Sequence, residues 1–182
     1  MSNEKRIISG QNIAVNALTF KISVNCVIEM PDSNDIDVSA FLLNAEGKVT
    51  KDNDFIFYNN PSSKSQCITL NSSAPEVQVF NIDLSKIPIT VKKIAFVITV
   101  PVEFSLAKQL CIDIKEELVF HPETKQMKEK SLILGELYLH NENWKFRALG
   151  MGFQGDDMDS SLSNGAIIHL REITEQRGAR HE

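Results

Sequence analysis

The run KKIAFVITVPV, Lys92 to Val102, constrains the fold of this chain more than any other segment. It is continuous in apolar, mostly β-branched and aromatic residues from Ile94 to Val100, broken only by Thr99. It is far shorter than the roughly 18 apolar residues that a membrane-spanning helix needs. A short apolar run of this composition reads as a strand buried on both faces. The rest of the chain should therefore supply neighbouring strands and cover for that strand.

Most of the remaining sequence does read as strands. TFKISVNCVIEM alternates, with Phe20, Ile22, Val24 and Cys26 on one face. DVSAFLLN and DFIFYN are short runs of β-formers, and VQVFNIDL alternates at Val77, Val79 and, less cleanly, Ile82. LGELYLHNENWKFRALGMGF reads as a hairpin turning at HNEN, and AEGK as another turn. CIDIKEELVF reads as a strand running into the turn HPETKQ. Helix is a minor component: SLAKQL is expected to form one short helix capped by Ser105, and SNGAIIHLREITEQ a second at the C-terminus, with Ile167, Leu170 and Ile173 on its apolar side. The expected fold class is all-β: a β-sandwich of two mainly antiparallel sheets with one or two short helices. Residues 1–155 are expected to form the sandwich domain, and 156–182 an acidic linker with a short C-terminal helix or tail.

The 182 residues suffice for a core without disulfide help. Three widely spaced cysteines, Cys26, Cys67 and Cys111, point to a reducing compartment. The N-terminus, MSNEKRIISGQNIAV, lacks the apolar stretch of a secretory signal, so the expected location is cytoplasmic. A net charge of -5 and the lack of a basic, aromatic-interleaved stripe argue against a nucleic-acid partner.

The segment DSNDIDVSAFLL begins with Asp32, Asp35 and Asp37 and then turns apolar. If DIDVSAFLL and KVTKDNDFIF pair as a hairpin through NAEG, Leu43 lies opposite Lys48, Asp37 opposite Asp54 and Ser39 opposite Asp52. Asp35, Asp37, Asp52 and Asp54 then share a face. Opposed side chains sit about 5 Å apart, where two like charges repel by roughly 3 kcal/mol at an effective dielectric of about 20. Either water solvates these carboxylates or a cation sits between them. Calcium is the candidate ion, since it takes six to eight hard oxygen ligands, and Asn59 and Asn60 follow in the next loop. No His or Cys lies nearby in sequence to favour a softer metal. An EF-hand is rejected: its sixth position would be Ala40 where the loop turn demands glycine.

DIDVSAFLLNAEGKVTKDNDFIFYNN, IDLSKIP, KKIAFVITV and GELYLHNENWKFRALGMGF resemble, in order and spacing, the TerD-like tellurium-resistance and stress-protein family. The resemblance spans roughly residues 7 to 155. It implies a calcium-binding β-sandwich without enzymatic activity, whose partners are other proteins of the tellurite-resistance and stress system. Its acidic positions fall on Asp35, Asp37, Asp52 and Asp54, with Asn59 and Asn60 in the following loop. Two departures stand out. The family's acidic, Gly-rich loop is replaced here by NSSAPEVQVFNIDL, with Glu76 its one acidic residue before Asp83, and the family's Gly-containing helix turn before CIDIKEELVF reads FSLAKQL, without the glycine; beyond these, the tail after Gly155 has no counterpart. A calcium-independent partner-binding or assembly module, including a homo-oligomer, is the alternative.

Other patterns carry less. GMGFQG matches a dinucleotide fingerprint in letters, but acidic residues follow it where a helix should open. Asp83 in IDLSKIP is expected to cap a short turn. No P-loop, G-x-S-x-G or H-E-x-x-H is present.

Overall fold

The structure is a computed structural model that describes residues 4–29, 36–49, 51–74 and 76–153. Twelve strands are described: β1 (Lys5–Ile7), β2 (Asn12–Ala14), β3 (Thr19–Ile28), β4 (Asp37–Leu43), β5 (Phe55–Ile56), β6 (Ile68–Ala74), β7 (Val77–Asp83), β8 (Lys93–Thr99), β9 (Ala107–Ile114), β10 (Leu118–Phe120), β11 (Ser131–His140) and β12 (Asn143–Phe153). They form two six-stranded sheets. Sheet A runs β1-β10-β9-β3-β7-β6 and sheet B runs β2-β12-β11-β8-β4-β5. Every pairing is antiparallel except β1 with β10. The expected β-sandwich is the observed fold.

The core lies between the sheets and follows strand alternation. Ile22, Val24 and Cys26 of β3 and Leu110, Ile112 and Ile114 of β9 face Val38, Ala40 and Leu42 of β4 and Ile94, Phe96 and Ile98 of β8. Phe80 of sheet A meets Phe96 of sheet B edge to face, with ring centroids 5.2 Å apart, a favoured aromatic arrangement. Alternation puts Lys93, Ala95, Val97 and Thr99 of β8 on the other face of sheet B. Ala95, Val97 and Thr99 are buried there too, so KKIAFVITV is closed on both sides as its composition requires.

The HNEN hairpin forms as expected. Asn141 and Glu142 both adopt positive φ, 50° and 66°, the pair a two-residue type I′ turn needs. Asp83 caps as expected, its Oδ1 accepting from the Ser85 backbone N–H at 3.0 Å at the start of a 3-10 turn, Leu84–Lys86.

Three local expectations are corrected. SLAKQL is not a helix: Phe104–Leu106 make one 3-10 turn and Ala107 enters β9. The buried Phe104, together with pairing of 107–114 to β3, overrides weak helix propensity. In β7 the buried positions are Gln78, Phe80 and Ile82, not Val77 and Val79. The larger Phe80 and Ile82 set the phase, and Gln78 is tolerated inside because its Nε2 donates to the Ile36 carbonyl at 3.1 Å. DNDFIF is not an extended strand: residues 52–54 form a 3-10 turn and β5 has two residues. The expected C-terminal helix falls outside the described residues.

Candidate functional site

The register of β4 decides what the acidic positions can do together. Observed pairs are Phe41 with Phe55 and Ala40 with Ile56, so β5 is shifted by five residues from the tight hairpin expected through NAEG. The extra length is a closed turn followed by the 3-10 turn. The Asn44 side chain accepts from the backbone N–H groups of Glu46 (2.9 Å) and Lys48 (3.0 Å), and Gly47 supplies a positive φ of 78°. Asp37 therefore lies beside Thr99 of β8, not beside Asp54. Asp54 precedes Phe55, level with the opposite end of β4. At about 3.3 Å per residue the two aspartates stand roughly 16 Å apart along the sheet. One ion cannot bridge them.

The six sequence candidates thus divide. At the start of β4, Asp37 is half-buried on the outer face of sheet B, in a row with Thr99 and Ser131. The two hydroxyl oxygens are 3.1 Å apart. Asp35 lies outside the described residues. This end also adjoins the β6–β7 turn, through the Gln78 bond to Ile36 and a 2.9 Å bond from the Cys26 N–H to the Glu76 carbonyl.

At the far end, Asp52 and Asp54 sit in the 3-10 turn, with the Asp54 N–H bonded to the Lys51 carbonyl. The Asn60 side chain braces this turn, donating from Nδ2 to the carbonyls of Phe55 (2.8 Å) and Asn53 (3.4 Å). Its backbone closes a reciprocal pair with Phe57, leaving Asn59 exposed at the tip. A depression of about 180 Å³ beside the turn is lined by Lys51, Asn53, Asp54, Ser63, Lys64, Ser65 and Pro88. Two lysines on its wall oppose a cation there. Among the described residues, no three His, Cys, Asp or Glu side chains are grouped to hold a metal.

Sequence reasoning missed a titratable group on the outer face of sheet A. Asp113 of β9 accepts a 3.4 Å bond from Asn25 Nδ2, and burial, reinforced by the Glu4 charge, pushes its carboxyl up to about 6. The folded state holds this proton more tightly than the unfolded chain. Asp113 therefore favours folding fully below pH 3.8, and that contribution is lost as pH rises through about 6. Asp113→Asn is expected to stabilise the protein by ~1–2 kcal/mol at pH 7.5, after allowance for solvent screening, and to be near neutral at pH 4. Urea denaturation of both proteins at the two pH values checks this. The neighbouring thiols are not poised for reaction: burial pushes Cys26 up to about 12 and raises Cys111.

Residues 5–161 match the TerD domain family. The chain belongs to the TerD family. Tellurium resistance protein TerD of Serratia marcescens is 34% identical over 139 residues, which is 66% of this chain and 72% of that protein. General stress protein 16U of Bacillus subtilis (strain 168) is 32% identical over 139 residues, with the same coverage. A crystal structure of a homologue of telluride resistance protein (TerD) from Streptomyces coelicolor A3(2) shares the fold, with a TM-score of 0.57 and 11% identity over 80% of this chain and 97% of that one. The TerD-family domain carries no helix, among its described residues, long and apolar enough to cross a membrane.

Proposed function

We propose that this TerD-family protein is a calcium-binding, non-catalytic component of a cytoplasmic tellurite-resistance and stress system, acting through protein contacts, with the ion held at the start of β4. The observation that carries the placement is the register: Asp37 stands in an oxygen-bearing row with Thr99 and Ser131, two residues after Asp35 in the chain. Asp35 precedes Asp37 by two residues, the spacing at which strand side chains share a face. Hard oxygen donors of this kind fit calcium. The turn around Asp54 fits it less well. Lysines line that wall, and the Asn60 amide braces the backbone.

Two carboxylates make a site of low charge, and calcium affinity scales with ligand charge and rigidity. A dissociation constant on the order of 10⁻⁴ M or weaker is expected. Calorimetric titration of the chelator-treated full chain tests the reading against Asp37→Asn and Asp54→Asn. Saturable heat lost in Asp37→Asn and kept in Asp54→Asn supports it. The reverse would move the ion to the 52–60 turn. Absence of heat in the unmodified protein would favour a calcium-independent interaction module.

A further inference from the structure

A two-layer sandwich needs to bury only one face of each sheet. Sheet A mostly obeys this: Ser23, Asn25, Val79 and Asn81 on its outer side are only half-buried, and the small Cys111 beside Asn25 is closed there without an apolar cluster around it. Sheet B does not. Its outer face carries a second apolar cluster of Phe41, Leu43, Phe55, Ala95, Val97, Ile133 and Phe153, each no more than 4% exposed. Ser39 and Glu136, on the same face, are equally closed to solvent at 4%. Glu136 is held there by Lys93 and Arg147, each at 3.4 Å.

Among the described residues, the apolar side chains partly buried against this cluster are Val49, Phe57 and Leu149. They stand at its margins, two on the connections flanking β5 and one on β12. The centre, on β8 and β11, is made of Ala95, Val97 and Ile133 and is buried within a single copy of the chain. A centre of small and branched side chains, rimmed by Phe41 and Phe55 on one side and Phe153 on the other, offers apolar surface of the kind an amphipathic helix covers.

We propose that the occupant is the chain's own C-terminal segment, residues 154–182, laid across the outer face of sheet B as a third layer. Continuity carries the choice. Phe153 belongs to the cluster, and the segment starts from it, at the edge of the surface that needs cover. Ile167, Leu170 and Ile173 recur at three-residue spacing, which would put them on one side of a helix. Reach is not limiting: thirteen residues, 154–166, extend to roughly 40 Å, and four strand spacings from β12 to β5 amount to roughly 19 Å. A second copy is the weaker occupant, because the face is already closed within one. The segment would therefore act as an intramolecular cover over a surface otherwise suited to self-association. None of this depends on calcium.

Methyl NOE spectroscopy of the full chain, labelled at Ile, Leu and Val, tests the proposal directly. Cross-peaks from Val97 and Ile133 to Ile167, Leu170 or Ile173 within one molecule are the expected result. Their absence would overturn it. Cross-peaks seen only between differently labelled copies would overturn it as well, and assign the face to a dimer. The double variant Leu170→Asp, Ile173→Asp should raise trypsin cleavage at Arg171 and Arg177 about tenfold, with the β-sheet circular dichroism unchanged. An unchanged cleavage rate would count against the docked segment.

Discussion

Gly135→Ala is expected to destabilise the protein by about 2–3 kcal/mol, read as a lower urea midpoint at unchanged slope. Gly135 sits in β11, at the point where its register shifts against both β8 and β12. A Cβ there would stand 2.5 Å from Phe146 Cζ and 2.8 Å from the Arg147 carbonyl oxygen. The ring could turn aside only within a core in which Phe146 is fully buried, and the carbonyl belongs to the β11–β12 ladder and cannot move alone. The bulge also switches which side of β11 faces inward: Leu132 and Leu134 before it and Leu137 after it all reach the core. It thereby places Glu136 on the outer face beside Lys93 and Arg147. A strained Gly135 should loosen that ion cluster too. Hydrogen exchange at Glu136 and Arg147 should rise more than at β3, whose partners lie in the other sheet.

What could be read from the sequence was set by how local its cause is. The two-sided burial of β8 follows from its own composition. The HNEN turn, the Asp83 cap and the inward set of β3 each depend on residues within a few positions of one another. The errors share another origin. The phase of β7 turns on a long-range bond from Gln78 to Ile36, 42 residues away. The register of β4 with β5 turns on Asn44 closing a turn with its side chain and on residues 52–54 coiling before β5 begins. A shift of register leaves composition untouched but relocates every carboxylate. The grouping of the acidic residues was not legible, because it depends on loop length that no single residue announces. Asp113 escaped notice for a related reason: its shifted carboxyl arises from burial and from Glu4, more than a hundred residues earlier in the chain.

Phe55→Ala should cost about 3–5 kcal/mol, the range for removing a fully buried aromatic side chain. The Phe55 ring stacks on Phe41 at 4.6 Å with planes 22° apart, and also meets Phe57 at 4.6 Å. Phe57 in turn meets Tyr58 edge-on at 5.2 Å. This short aromatic file is what holds the 52–60 turn against sheet B, since β5 itself contributes only two residues to the ladder. Removing its middle member should open the turn. Asn59 and Asn60 amides are then expected to exchange faster and their resonances to shift, while those of Thr99 and Ser131 stay in place. The same variant separates structure from ion binding. If calcium sits at Asp37, the turn is a structural element and lies beyond the range over which substitutions usually couple. The loss of stability should then be equal, within about 0.5 kcal/mol, with and without saturating calcium. A destabilisation that grows with calcium would instead make the 52–60 turn part of the binding site.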